Sequence, residues 1–268
     1  MCRWIAYRGR PVFLETLLFE PENSLIEQSL HARKAVASTN GDGFGVGWYG
    51  DRPEPGTYHE ILPAWNDRNL KSLAHQLRSG LFFGHVRAST GTATSRANCH
   101  PFAYGRWLFM HNGQIGGYDR VRRRLDQMIP DHLYPHRQGT TDSELFFYLL
   151  FHFGLEQDPA GAIRRAAATV GSIMREAGIA EPLRLTAVLT DGSRVFAVRH
   201  ASDDKPPTLY WCDGHDERRE RQLIVVSEPL DRDPGRWNIV PPEHLLVAET
   251  DSRVQVLPFS PEGDLRAA

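Results

Sequence analysis

The chain has 268 residues, 41% hydrophobic and 24% charged, a length near the upper limit for one hydrophobic core and a composition ordinary for a globular protein. Its 31 basic and 33 acidic residues leave a formal net charge of −2, without the basic excess that would point to nucleic acid or an anionic membrane; only Lys34, Lys71 and Lys205 are lysines, an arginine bias of the kind codon composition produces. Three cysteines with no CxxC pair argue against a disulfide framework or a zinc knuckle, and with no secretory signal and no apolar run approaching about eighteen residues they predict a cytoplasmic protein that spans no membrane.

Cys2 stands directly behind the initiator methionine. Methionine is normally trimmed before a small side chain, which would leave a thiol and a free α-amine on one residue. An α-amine has a pKa of about 7.7–8.0 and a cysteine thiol about 8.5, so the amine is a base poised near neutrality beside its own nucleophile. Position alone does not establish this, because many chains carry an early cysteine without such a role.

Residues 3–7 read as a strand that would hold the terminus rigidly. Leu14–Leu18 and Leu25–Leu30 read as short helices. The turn 40–43 precedes a Gly-rich strand over Phe44–Tyr49, Leu70–Arg78 reads as a helix, and Leu81–Val86 and Trp107–His111 as apolar strands. An Arg-rich amphipathic helix covers 117–129. A second runs from Asp142 to Phe153, with Thr141 as N-cap and Glu144 three residues on, and a third covers Pro159–Ala177. Leu183–Leu189, the turn Asp191-Gly192 and Val195–His200 form a hairpin; Thr208–Trp211, Leu223–Ser227, His244–Glu249 and Val254–Pro258 are further strands. Helices between two strand-rich halves predict antiparallel sheets inside and helices outside, within one domain over 1–268.

Three segments place polar groups at apolar strand ends. After Leu81–Val86 come Arg87 and a run of hydroxyls; an arginine there can grip a carboxylate or form a structural salt bridge. After Trp107–His111, the Asn112 amide and the Gly113 N–H could converge on one oxygen as an oxyanion hole, although Asn-Gly is also the commonest hairpin turn, and taken alone the turn outweighs the hole. Asp142 fits either a helix cap or a site facing a ligand ammonium. His85, His100 and His111 have no standard metal-ligand spacing, so no metal is expected, and Cys99 and Cys212 read as structural.

Taken in order, Met1-Cys2-Arg3-Trp4, the stretch Asn40 to Gly45, His85 to Thr90, Asn98-Cys99-His100-Pro101-Phe102, His111-Asn112-Gly113 and Thr141-Asp142-Ser143-Glu144 resemble the class II glutamine amidotransferases, which are N-terminal nucleophile hydrolases. The motifs cover roughly residues 1–155; Val226-Ser227-Glu228-Pro229-Leu230 looks like a later family strand, less specifically. The stand-alone branch, which includes the ergothioneine-pathway γ-glutamyl amidohydrolase, is the most similar. The resemblance implies an α+β fold, a four-layer αββα sandwich of two antiparallel sheets. It implies Cys2 as nucleophile with its amine as base, and Asn112 and Gly113 as the oxyanion hole. Arg87 would bind the substrate α-carboxylate with Thr90 in support, Asp142 the α-ammonium, and His111 would stand beside the substrate. No cofactor is implied. Many relatives carry Trp where this chain has Ala88, which implies a more open pocket or one shaped for a larger leaving group. The expected activity is hydrolysis of a γ-glutamyl amide, glutamine or a γ-glutamyl metabolite. Alternatives are a glutaminase subunit that passes ammonia to a separate synthase, and a non-catalytic binding module of the same fold. The partner is a small-molecule substrate, with a synthase or a second copy of the chain as further possibilities.

Overall fold

The computed structural model describes residues 2–31, 39–89, 93–215, 221–233, 235–250 and 253–261. Two antiparallel sheets dominate them. The first has seven strands in the order β11 (Asn238–Ile239), β9 (Tyr210–His215), β10 (Arg221–Val226), β1 (Arg3–Phe13), β4 (Arg78–Val86), β2 (Phe44–Trp48) and β3 (Gly56–Glu60). The second has six: β13 (Val254–Pro258), β12 (His244–Ala248), β8 (Val195–Ala201), β7 (Leu183–Thr190), β6 (Trp107–Ile115) and β5 (Phe102–Tyr104).

Strand alternation sorts the side chains into three apolar layers. Trp4, Ala6, Leu81 and Phe83 of the first sheet meet Leu108, Met110, Val188 and Ala197 of the second between the sheets. Ile5, Tyr7, Phe82 and Ile224 face the other way, onto α1 (Glu15–Leu18), α2 (Leu25–Leu30) and α3 (Arg68–Gln76). Phe109, Leu185, Ala187 and Val198 pack under α4 (Tyr118–Asp126), α5 (Asp142–His152) and α6 (Pro159–Glu176). The layering is therefore αββα, with both sheets buried on both faces.

Helix starts follow cap chemistry. Ser24, Asp67, Thr141 and Asp158 accept from Glu27, Leu70, Glu144 and Gly161 N–H at 3.2, 2.6, 3.1 and 2.9 Å. Thr141 is thus the expected cap, but Glu144 does not reach back to close a capping box. Its buried carboxylate accepts the Gln138 and Gly139 N–H groups at 2.8 and 2.7 Å, tying down the loop before α5.

The structure departs from the sequence reading where tertiary pairing decides. β6 runs through His111-Asn112-Gly113 to Ile115, with Asn112 opposite Thr186 and Gly113 opposite Leu185 of β7. The Asn-Gly pair is therefore strand and not a hairpin turn. β1 extends to Phe13, helix α3 ends at Gln76 so that Arg78 opens β4, and the short strands β3, β5 and β11 carry no clear periodicity of their own.

Gly45 of β2 lies between His85 of β4 and His59 of β3, beneath the 99–101 segment. A Cβ there would stand 2.2 Å from the His100 carbonyl oxygen and 2.4 Å from the His59 ring. Gly45→Ala is expected to destabilise the fold by about 1–3 kcal/mol, measured by urea denaturation, because both obstacles are packed.

Candidate active site

Cys2 immediately precedes β1, whose register places Arg3 opposite Val86 and Trp4 opposite His85. Alternation puts Cys2 on the face of Trp4 and Ala6, toward the second sheet. By the same rule Arg87 continues the inter-sheet face of Leu81, Phe83 and His85, and Asn112 that of Leu108 and Met110. Two strand ends and the chain terminus thus meet at one end of the inter-sheet layer. There a cavity of roughly 660 Å³ is lined by Cys2, Arg87, His111, Asn112, Gly113 and Asp142, all but one of the residues singled out from the sequence. The remaining one, Thr90, lies outside the described residues.

The Cys2 thiol is half-buried and faces the Ala88 carbonyl at 3.7 Å. Burial raises its pKa, and the nearby Arg87 and Arg3 guanidinium groups pull it down without cancelling that effect. The resting thiol is therefore protonated at neutral pH and needs a base when it reacts.

Asn112 is buried, and its Nδ2 has no hydrogen-bond partner among the described residues. An orphaned buried donor costs about 1–3 kcal/mol, so a partner arriving in the cavity would recover that energy. Gly113 beside it has backbone on top of it: a Cβ would stand 1.9 Å from the Arg184 carbonyl oxygen.

Arg87 is tied to the 40–43 turn. Its N–H donates to the Gly43 carbonyl at 2.8 Å, its own carbonyl accepts from Asp42 N–H at 3.1 Å, and its guanidinium donates to the Asp42 carbonyl at 3.4 Å and to Ser89 Oγ at 3.3 Å. Asp42 Oδ2 accepts the Ser89 N–H at 2.7 Å, closing the arrangement.

Asp142 occupies the first turn of α5, and its Oδ2 accepts the Ile115 N–H at 2.7 Å, joining the end of β6 to the start of the helix. Its Oδ1 lies 3.3 Å from Ser143 Oγ. His111 projects to the helical side of the sheet, with Phe109 and Phe146 alongside. Its Nε2 lies 3.0 Å from the Arg184 carbonyl and its Nδ1 2.8 Å from Ser143 Oγ. Burial lowers its pKa, and Asp142 opposes this. In the neutral ring only Nε2–H can serve a carbonyl, so Nδ1 accepts the Ser143 proton and Asp142 Oδ1 does not.

His85 and His100 form a buried stack, 4.3 Å between centroids, with no hydrogen-bond partner on either ring among the described residues. Burial and then Arg87 lower His85 to about 3; burial and then His85 hold His100 well below its ordinary value. Burial lifts the Cys99 thiol to about 11, consistent with a structural role.

The sequence reading assigned no role to a second polar group behind Cys2. Arg3 Nε donates to Glu228 Oε2 at 3.2 Å, Arg3 Nη1 donates to the Cys2 carbonyl at 3.0 Å, and both charged side chains are buried. Burial pulls the Arg3 guanidinium below its usual range, with Glu228 pulling it back. A carboxylate ending the apolar run before Pro229 was the available signal, of the same kind as Arg87 at the end of β4.

This αββα sandwich, with a cysteine at the head of a central strand and facing an inter-sheet cavity, has the fold of the N-terminal nucleophile hydrolases. The family model for class II glutamine amidotransferases matches residues 21–209, and the chain belongs to that family of hydrolytic enzymes. It is 34% identical to the probable glutamine amidotransferase DUG3 of Saccharomyces cerevisiae, over 92% of this chain and 81% of that one. It is 31% identical to a gamma-glutamyl-hercynylcysteine sulfoxide hydrolase of Mycolicibacterium smegmatis, over 97% of this chain and all of the other. A solved glutamine aminotransferase class-II domain protein from Silicibacter pomeroyi superposes with a TM-score of 0.77 at 38% identity, covering 97% of this chain and 99% of that one. No helix among the described residues is long and apolar enough to cross a membrane.

An unfolded histidine titrates near 6.5 and folded His85 near 3, so between those values the unfolded chain binds the extra proton. Stability from this group is complete above about pH 6.5 and is lost as pH falls toward 3. Urea midpoints across that range are expected to fall with pH, and the slope to flatten in His85→Gln.

Proposed function

We propose that this protein hydrolyses a γ-glutamyl amide through a thioester on Cys2, with residues 1–268 acting as one catalytic unit. The observation that carries this reading is the buried, unpartnered Asn112 Nδ2 in the cavity onto which Cys2, Arg87 and Asp142 also open. A γ-glutamyl group has one carboxylate, one ammonium and one scissile carbonyl; among the groups lining the cavity are Arg87 and Asp142, of opposite charge, and the Asn112 donor with the Cys2 thiol.

Removal of Met1 frees the Cys2 α-amine, which takes the thiol proton. The thiolate adds to the γ-carbonyl, and the oxyanion accepts hydrogen bonds from Asn112 Nδ2 and the Gly113 N–H. Collapse expels the amine, which takes the proton held on the α-ammonium. Water, deprotonated by the same amine, adds to the thioester and releases glutamate. Arg87, with Thr90, holds the α-carboxylate, and Asp142 Oδ1 accepts from the α-ammonium. His111, neutral and fixed between Ser143 and Arg184, holds the Ser143 hydroxyl proton on its own Nδ1 and leaves Asp142 Oδ1 to the substrate.

The cavity has room for roughly twenty waters at about 30 Å³ each, more than free glutamine fills. With Ala88 at its wall, this favours a γ-glutamyl metabolite with a substantial amine half, as in the name of the Mycolicibacterium relative. The second reading, a glutaminase subunit serving a separate synthase, draws on the likeness to the yeast probable amidotransferase. Rapid hydrolysis of γ-glutamyl amides of bulky amines by the isolated protein, with glutamine turned over slowly, separates the first from the second.

Intact mass after treatment with a glutamine-mimicking diazo-ketone is expected to show a chain beginning at Cys2 and carrying one adduct there; a retained Met1 or an unlabelled Cys2 refutes the mechanism. Cys2→Ala abolishes turnover. Asn112→Ala lowers kcat by about a hundred- to a thousandfold. Arg87→Ala acts mainly by raising KM for glutamyl substrates, and an unchanged KM removes it from carboxylate binding.

A further inference from the structure

We propose that the buried Arg3–Glu228 ion pair is a positioning device for the nucleophile, clamping the Cys2 carbonyl so that the thiol stands in register with the oxyanion donors across the inter-sheet cavity. The proposal rests on the hydrolase reading above and assigns that reaction two residues it does not otherwise use.

A nucleophile on a terminal residue has a single peptide bond to hold it. Strand pairing begins only at Arg3, opposite Val86, so the ladder stops one residue short of Cys2. The thiol contact to the Ala88 carbonyl, at 3.7 Å, is weak. The Arg3 Nη1 bond to the Cys2 carbonyl, at 3.0 Å, is the strongest restraint on that residue among the described hydrogen bonds.

A side chain reaching back over its own peptide restrains nothing unless its far end is fixed. Arg3 is fixed by Glu228, with both side chains at most 3% exposed. Glu228 Oε1 accepts from Asn23 Nδ2 at 3.3 Å, and Asn23 Nδ2 also donates to the Pro229 carbonyl at 2.6 Å. The segment bearing Glu228 is bolted to β1: Trp4 N–H donates to Ser227 Oγ at 3.0 Å, and Ser227 N–H donates to the Trp4 carbonyl at 3.1 Å. A continuous line of fixed groups therefore runs from α2 and the end of β10 to the Cys2 carbonyl.

Stability does not account for the pair. Desolvating two charges costs several kcal/mol per ion, and well-packed apolar replacements are often neutral or better. The neighbours on this face, Ile5, Leu25 and Val226, would accept apolar side chains. Arg3 Nη2 is left buried with no partner among the described residues, so the guanidinium is oriented to place Nη1 on the Cys2 carbonyl at the expense of its own satisfaction.

The test uses charge-conserving Arg3→Lys, whose single ammonium can serve Glu228 or the Cys2 carbonyl but not both, alongside Glu228→Gln. In folded Arg3→Lys, kcat and the rate of Cys2 labelling by the diazo-ketone glutamine mimic are expected to fall about ten- to a hundredfold, the cost of misplacing reacting atoms by an ångström or less. KM and the rate of iodoacetamide alkylation, which needs no oxyanion donor, stay within twofold. Glu228→Gln shows the same split once alkylation is compared at full ionisation of the thiol, and its alkylation midpoint moves to lower pH because Arg3 has lost its counter-charge. Asn23→Ala removes one hydrogen bond to Glu228, leaves the pair, and replaces any variant that fails to fold; its kcat is expected to fall severalfold. A merely structural pair would lower thermal stability and leave kcat and the labelling rate per folded molecule at the wild-type value, which overturns the proposal. Wild-type protein that hydrolyses no γ-glutamyl amide but shows the labelling split refutes the substrate reading and upholds the positioning role.

Discussion

In the proposed mechanism the reacting thiol sits on the terminal residue of the processed chain, tethered on one side only, and must be placed to within a fraction of an ångström. The rest of this structure follows from that constraint. β1 lies in the interior of the seven-stranded sheet, between β10 and β4, and pairs with β4 from its first residue, Arg3, and with β10 from Ile5. The adjoining segments, Ser227-Glu228 after β10 and Arg87-Ala88 after β4, then reach past the end of β1 and surround Cys2. Burial of both sheet faces makes the register unambiguous, since a slip of one residue would turn Trp4 and Ala6 from the inter-sheet layer to the helical side.

The same alternation assembles the site. Cys2, Arg87 and Asn112 belong to three strands or their extensions, in two sheets, and share only the face they point to. In the proposed mechanism Asn112-Gly113 serves because it remains in a strand. In a hairpin its amide would turn to solvent, whereas within β6 the residue keeps the inward face set by Leu108 and Met110 and its donor is dried by the surrounding core. Gly113 is small because the Arg184 backbone lies on it, a packing requirement that coincides with placing an N–H beside the Asn112 amide.

Electrostatically the cavity is quiet until substrate arrives. His85, His100 and His111 are held neutral by burial, so no imidazolium stands ready to ionise the thiol, and desolvation keeps the thiol protonated. Charged groups lining the cavity include Arg87 and Asp142, with Asp119, Arg120, Arg122 and Arg184 also on its wall and the compensated Arg3–Glu228 pair behind it. In the proposed mechanism the base comes from the α-amine of a processed terminus and not from a side chain.

Much of the site was legible in the primary structure because its pieces are local. A strand running into Arg87, a strand running into His111-Asn112-Gly113 and a capped helix beginning Thr141-Asp142 each require only neighbours in sequence, and their order carries the family resemblance. The long helices, the hairpin at Asp191-Gly192 and the αββα layering follow from periodicity and cap chemistry, which are properties of short segments. Cooperative choices made by distant residues were not legible. Whether Asn112-Gly113 turns or continues depends on β7 as a partner seventy residues on; whether Glu144 closes a capping box depends on a loop that competes for its carboxylate; the union of Arg3 with Glu228 joins opposite ends of the chain. By itself the sequence determined which chemical groups this protein possesses and which faces of its strands they occupy, since backbone geometry dictates alternation. Only the tertiary structure decided which of those faces meet, because sheet packing and buried charge pairing are settled between residues hundreds of positions apart.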